Sequence, residues 1–276
     1  MGPGFGENDS PRWPLRGRAA IVTGASRRAG IGYAVARRLL GMGASVVVHH
    51  HAGHDATQRW GADDVGAVLD GLREVLRVEG PPGARLVDVG SDLAVLGAPE
   101  ALVAAAVAEF NGVDVLVANH ARSAPDGGLG DLTAEVLDGH WAVDARSVIL
   151  LVQAVAGAHT PGRAPARMVL LTSGQQKGPM PGEIAYVAAK AALAGVTATL
   201  ADELADRGIT LNTANPGPVD TGYATGAAHA AVAARFPGGQ WGEPDDPARL
   251  IAWLCTDDAR WVTGQVIDSE GGFRRH

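Results

Sequence analysis

Tyr186 and Lys190 stand four residues apart in the run Tyr186-Val187-Ala188-Ala189-Lys190, and Ser173 lies thirteen residues upstream. Four residues is about one helical turn, so the phenol and the ammonium are expected side by side on one helix face. A nearby ammonium favours the phenolate and draws the tyrosine pKa down from its ordinary value near ~10. A tyrosine so tuned can give or take a proton close to neutral pH. The pair alone is a weak signal, because many solvated helices carry a tyrosine and a lysine at this spacing. The rest of the chain gives it meaning.

An apolar run at 19–22 leads into Thr23-Gly24-Ala25-Ser26-Arg27-Arg28-Ala29-Gly30-Ile31-Gly32, and an amphipathic stretch from Tyr33 to Leu40 follows. Strand, glycine-rich turn and helix in succession aim free backbone N–H groups and a helix N-terminus at a phosphate. Glycine is needed there wherever φ is positive or a side chain would block a pyrophosphate. The turn resembles the T-G-x-x-x-G-x-G segment of the short-chain dehydrogenase/reductase family, lengthened by two residues between Gly24 and Gly30.

Other stretches resemble the same family, in its order and at its spacing, over about residues 15–273. Asp92-Leu93 falls where the family places an aspartate that accepts from the adenine amino group. Asn119 keeps the asparagine of the family's N-N-A-G segment, and Met168 to Ser173 resembles the strand that delivers its serine. The loop Asn215-Pro216-Gly217-Pro218-Val219-Asp220-Thr221 resembles the one that holds the nicotinamide carboxamide. The resemblance implies a substrate carbonyl hydrogen-bonded by Ser173 and Tyr186, with Tyr186 as general acid or base. Lys190 would bind the nicotinamide ribose and depress the tyrosine pKa. It further implies a substrate cleft bordered by Gln175, Gln176, Met180 and an Ala-rich lid from Tyr223 to Phe236. The branch it looks most like is that of the 3-oxoacyl-thioester reductases. Asp144 departs from the pattern, standing where the family has an asparagine that works through its backbone carbonyl in a proton relay. Two roles are open for it: the same backbone role, or a carboxylate that pairs with Lys190 and alters the tyrosine's tuning.

The elements that would position these residues alternate. Strands are expected at 19–22, 45–49, 85–89, 113–118, 168–172, 210–215 and 266–269, and helices at 31–41, 63–79, 98–110, 133–157, 184–206 and 246–255. Strict alternation implies right-handed βαβ crossovers. The expected fold is a single-domain Rossmann α/β fold, a doubly wound parallel seven-stranded sheet with helices on both faces. Residues 1–14, rich in Gly, Pro and polar types, read as a loose tail before one domain at 15–276.

A formal charge of −7 offers no basic patch for nucleic acid and no polybasic segment for a membrane. The longest apolar runs, Ala101–Ala108 and Val148–Ala158, are shorter than a membrane span, and the N-terminus lacks a signal-peptide pattern. A single cysteine, Cys255, suits a reducing cytoplasm. The apolar residues on more than one face of 133–157 and 184–206 point to a homo-oligomer, a dimer or tetramer.

Cofactor preference turns on the end of the second strand, where an acid would bind ribose hydroxyls and repel a 2′-phosphate. His49 and His50 stand there, and Arg27, Arg28, His50 and His51 can meet a phosphate, which favours NADP over NAD. The cluster His49, His50, His51 and His54 is not expected to bind metal, because adjacent strand residues point to opposite faces. Two other functions stay open: a non-redox dehydratase or epimerase of the same fold, and a cofactor-binding sensor without turnover.

Overall fold

The structure, a computed structural model, describes residues 12–160 and 162–275. Seven parallel strands form one sheet: β1 (Ala19–Val22), β2 (Ser45–His50), β3 (Leu86–Gly90), β4 (Val115–Ala118), β5 (Arg167–Leu171), β6 (Thr210–Asn215) and β7 (Val266–Asp268). Their order is β3-β2-β1-β4-β5-β6-β7, so the chain winds outward from β1 in one direction and then from β4 in the other. Short Val-, Ile- and Leu-rich runs suit strands buried on both faces, and every residue of β1, β4 and β5 is buried. The register Ala20↔Val115, Ile21↔Leu116 and Val22↔Val117 brings the ends of β1 and β4 level at the switch point. There the crossovers leave to opposite faces and open a crevice for a ligand.

One face of the sheet is covered by α1 (Ile31–Gly41), α3 (Val65–Glu79) and α9 (Asp245–Leu254), whose Leu39, Leu40, Leu72 and Ile251 pack on Val22, Val46 and Val117. The other face is covered by α4 (Ala98–Phe110), α6 (Ser147–Ala158) and α7 (Ile184–Ala205), where Leu102, Leu151, Val155 and Leu193 meet Ile21, Val47 and Leu116. Two short helices, α2 (Ala52–Ala56) and α8 (Gly226–Ala233), lie beyond the expected set. Neither buries a residue, so neither leaves an apolar period in the sequence to read.

The helix expected at 133–157 is divided. α5 (Ala134–His140) passes into a π-helical turn, Trp141–Arg146, which then feeds α6. A π turn holds one residue more per turn, and such turns are frequent at functional sites. Asp144 lies within it. By length and composition the stretches Ala134–Ala158 and Ile184–Ala205 reach what a membrane span needs, although their uninterrupted apolar runs are shorter. Each lays one face on the sheet.

Residues 1–11 of the expected tail lie outside the described residues. Trp13, within them, donates its indole N–H to the Glu79 carbonyl at 2.7 Å.

Candidate active site and cofactor cleft

The glycine turn is shaped by what surrounds it. Gly24 has φ +71°, and a Cβ there would lie 2.7 Å from the His120 backbone. A Cβ on Gly32 would run into the Gly24 carbonyl and come 2.7 Å from Asn119 Nδ2. Asn119 clamps the turn from β4, its amide donating to the carbonyls of Thr23 (3.0 Å) and Gly24 (3.1 Å). Thr23 is fully buried, and its hydroxyl bonds His120 Nδ1 at 2.7 Å. His120 Nε2 meets Ser147 Oγ at 2.7 Å, and Ser147 donates to the Val143 carbonyl at 2.6 Å. With Ser147 donating onward, the network assigns Nε2–H as donor and Nδ1 as acceptor. Thr23, Asn119 and His120 thus tie the turn to the π segment.

A cavity of ≈ 330 Å³ opens at the switch point. Of the residues expected at the cofactor, Gly24, Ser26, Arg27, Gly30, Ile31, His51, Asp92, Leu93, Asn119 and Thr221 line it. Two do not. His50 turns to the opposite side of the strand from His49 and His51, where its Nε2 lies 3.3 Å from Asp88 Oδ2 on β3. Arg28 is exposed, and its backbone N–H donates to Asp63 at 2.8 Å. Arg27 is therefore the arginine of the turn that faces the cleft.

The lining also holds residues that the sequence motifs do not mark: His54, Asp55 and Arg122. Asp55 accepts from the Ser26 hydroxyl at 2.6 Å and from Trp60 Nε1 at 3.0 Å, and His54 Nε2 lies 3.0 Å from Ser123 Oγ. Helix α2 so bridges the glycine turn to the segment after β4. Only a contact across the fold reveals this, since Asp55 stands five residues past the end of β2.

The second cluster lies beside this cavity and does not line it. Lys190 is 2 % exposed, donates to the Leu171 carbonyl at 2.9 Å, and sits 5.8 Å from the centre of the Tyr186 ring. The helix-turn spacing has brought the pair together as expected. The expected effect on the phenol is reversed, however: burial raises the Tyr186 pKa, the Asp144 charge raises it further, and the Ser173 hydroxyl only partly offsets them. Burial also lowers the Lys190 pKa, which Asp144 partly restores. Ser173 Oγ lies 3.9 Å from Met180 Sδ, while Gln175 bonds Thr172 through its amide at 2.9 Å. Tyr223 packs edge-on against Trp60 (6.4 Å) and Trp241 (5.9 Å), joining the segment before α8 to the one after α2.

Asp144 is completely buried. Its carboxylate accepts from the Arg122 N–H at 2.5 Å and meets His140 Nδ1 at 2.8 Å. Its oxygens therefore go to Arg122 and His140, and the Lys190 ammonium goes to Leu171. In the nicotinamide loop, Gly217 has φ +68° and a Cβ there would come 2.7 Å from Glu270; Val219 is buried and Pro216 is half-buried.

A dinucleotide fits these groups. Helix α1 begins at Ile31 after an N-cap glycine, Gly30, that offers no side chain, leaving its first N–H groups free for a phosphate. Arg27 Nε and Gln175 Oε1 are buried without a hydrogen-bond partner among the described residues. Lys190 has three donors and one acceptor, Leu171, which leaves N–H groups for ribose hydroxyls.

Comparison with known proteins agrees. A family model described as enoyl-(acyl carrier protein) reductase matches residues 24–274. The uncharacterized oxidoreductase YjdA of Bacillus subtilis is 37 % identical, over 94 % of this chain and 97 % of that protein. A short-chain dehydrogenase from Burkholderia cenocepacia, solved in complex with NADP, superposes with a TM-score of 0.80 at 34 % identity, covering 94 % of this chain and 98 % of the other. The angucycline C-6 ketoreductase LanV, solved with bound NADP, superposes with a TM-score of 0.80 at 30 % identity over 94 % and 96 %. With its parallel sheet, its clamped glycine turn and these relatives, the chain belongs to the short-chain dehydrogenase/reductase family and is an NAD(P)-dependent oxidoreductase.

Proposed function

We propose that this enzyme transfers hydride between NADP(H) and a ketone or secondary alcohol, with Tyr186 as general acid or base. The supporting observation is the cluster itself: buried Lys190 lies 5.8 Å from the centre of the half-buried Tyr186 ring, and the Ser173 hydroxyl lowers the phenol's pKa. A bound nicotinamide supplies the hydride. Ser173 and Tyr186 donate to the substrate oxygen, and Tyr186 passes its proton to that oxygen as it becomes an alkoxide. The phenol is protonated at neutral pH, the form carbonyl reduction needs, while its raised pKa makes it a weaker acid than a free tyrosine. Lys190 holds the ribose with its remaining N–H groups. Asp144 accepts from the backbone N–H of Arg122, a residue of the cavity lining, which ties this cluster to the cavity.

Arg27 and Arg122, with His51 and His54, support a 2′-phosphate in the cavity. Relatives solved with NADP point the same way. One observation favours a second reading, NAD(H) as the preferred cofactor: Asp55 brings a carboxylate to the glycine turn. A cytoplasmic enzyme of the 3-oxoacyl-thioester reductase-like branch, acting on a small carbonyl compound, completes the proposal.

A panel of ketones and alcohols with NADPH and NADH in parallel, followed by absorbance of the reduced nicotinamide, tests it. Tyr186→Phe should bind cofactor as wild type does and lose about 10²–10⁴-fold in turnover, the usual weight of a general acid. Retention of more than about a tenth of the activity would remove Tyr186 from that role.

A further inference from the structure

A buried histidine stands four residues before Asp144 and takes no part in the proton transfer described above. His140 ends α5, and its side chain has no solvent exposure. Both ring nitrogens are engaged, Nδ1 with Asp144 Oδ2 at 2.8 Å and Nε2 with the Pro125 carbonyl at 3.0 Å. A carbonyl oxygen only accepts, so Nε2 carries a proton. An ionised carboxylate also only accepts, so Nδ1 carries a second one. The other carboxylate oxygen accepts from the Arg122 N–H at 2.5 Å. A doubly protonated imidazole against a carboxylate is an ion pair whose net charge is zero.

The pair touches the proposed acid. The His140 ring meets the Tyr186 ring edge-on, with centres 6.2 Å apart at 81°. On its far side Asp126 Oδ2 lies 3.9 Å from His140 Nε2, and the same carboxylate accepts from the N–H groups of Ala185 (3.0 Å) and Tyr186 (2.8 Å). Asp126 thus caps the helix that carries Tyr186 and Lys190. The other charged or titratable groups around the cluster are Lys190 and Glu183 beside Tyr186, Tyr223 near the lid, and Arg122 and His54 toward the cavity. An unpaired carboxylate at 144 would act on both Tyr186 and Lys190.

We propose that His140 is the built-in counter-charge of Asp144, a positioning residue that keeps the aspartate ionised yet electrically neutralised beside Tyr186. The inference rests on Tyr186 as the proton donor for its catalytic meaning, while the charge pair itself is independent of that reading. Burial opposes the charged imidazole, but the Asp144 hydrogen bond and charge, the Pro125 carbonyl and Asp126 outweigh it and raise the His140 pKa. The pair also explains how an aspartate is tolerated here. An asparagine would satisfy the same groups, its oxygen accepting from Arg122 and its amide donating to a neutral Nδ1.

Imidazole ¹⁵N NMR of the wild-type protein and of Asp144→Asn at neutral pH tests the pair without substrate. Both His140 nitrogens should be protonated in the wild type, and Asp144→Asn should convert the ring to the neutral Nε2–H tautomer. A neutral His140 in the wild type, or a doubly protonated ring in Asp144→Asn, would overturn the proposal. Thermal unfolding gives the second arm. His140→Gln strands a buried carboxylate and should lower Tm by about 6–20 °C. His140→Gln/Asp144→Asn should recover most of that loss, which a lost packing contact cannot do. A double variant no more stable than His140→Gln overturns the charge-pair role; should His140→Gln fail to fold, the NMR arm decides. In turnover of the best ketone from the panel, the pH–rate profile of His140→Gln should shift by about tenfold in hydrogen-ion concentration, and the double variant should restore it. An unshifted profile overturns the influence on Tyr186. An active Tyr186→Phe removes the catalytic reading while leaving the NMR and unfolding results to judge the pair.

Discussion

Two residues of opposite charge bear on the choice of cofactor. Arg27 faces the cavity with its Nε unpartnered among the described residues and its guanidinium 5.8 Å from the centre of the Trp60 ring. Asp55 reaches the same turn, but both of its oxygens are already engaged, by Ser26 and Trp60. A carboxylate that accepts a hydrogen bond on each oxygen has part of its charge offset by those donors, and the arginine has donors to spare. Arg27→Ala should therefore weaken NADPH about ten- to a hundredfold and leave NADH within about threefold, as titration of intrinsic fluorescence would measure. Equal losses for the two cofactors would mean that Arg27 meets the shared pyrophosphate and not the 2′-phosphate. The spacing of the motif leaves Arg27 and Arg28 equivalent; the anchoring of Arg28 N–H to Asp63 separates them.

Among the elements, the glycine turn, the end of β2 and the end of β4 are bound together by two neutral histidines. His49 Nε2 lies 2.9 Å from the Ser91 carbonyl, and its Nδ1 accepts from the Gly24 N–H at 3.4 Å. His120 sits edge-on to it at 6.1 Å, between Thr23 and Ser147. Burial drives the His49 pKa down to about 4, and burial followed by the charges of His49 and Lys190 drives that of His120 well below its ordinary value. The unfolded chain takes up protons near pH ~6.5, which the folded His49 refuses until the pH has fallen much further. Their contribution to stability is thus complete above the unfolded value and is lost as pH falls from ~6.5 toward 4. His140 has the opposite sign: its raised pKa contributes below ~6.5 and fades as pH rises through the folded value, so it partly offsets the others on the acid side. Burial depresses His54 and His159 as well, so four lowered histidines against one raised predict a net fall in Tm over that window. His49→Asn should flatten the slope, read by thermal unfolding across the pH series; an unchanged slope would place the acid lability elsewhere.

For the whole molecule, the surface that bears on assembly is the outer side of α6 and α7. Helix α7 buries Ala185, Ala189, Leu193, Ala194, Ala201 and Leu204 against the sheet, yet Ala188, Gly195 and Ala198 on its other side are exposed. Small residues along an exposed helix allow a second helix to approach closely, and an apolar face of this length suits a two-fold interface. Sedimentation equilibrium at micromolar concentration should give a mass of two or four chains. A single-chain mass would show that this face stays open to water.

How much of this was legible in the sequence depended on the range of the physics. Strands and long helices were, because burial on both faces of a parallel sheet imposes apolar runs and helical periods that can be read locally; the bounds of α1 and α4 coincide with the expected ones. Tyr186 beside Lys190 was legible for the same reason, since one helical turn is a local fact. The π turn was not, because the hydrophobic pattern at 133–157 runs through it without a break. The direction of the Tyr186 pKa was misjudged, because desolvation depends on everything packed around the ring and outweighs one neighbouring charge. His50, expected at the cofactor, is turned toward Asp88 by strand alternation, and Asp55, which no motif marks, is carried to Ser26 by a short polar helix. The sequence by itself determined the fold, the family and the chemical types at the site. Only the tertiary structure decided which charges meet, because a buried pair such as His140 and Asp144 takes its meaning from the Pro125, Arg122 and Asp126 groups that close around it.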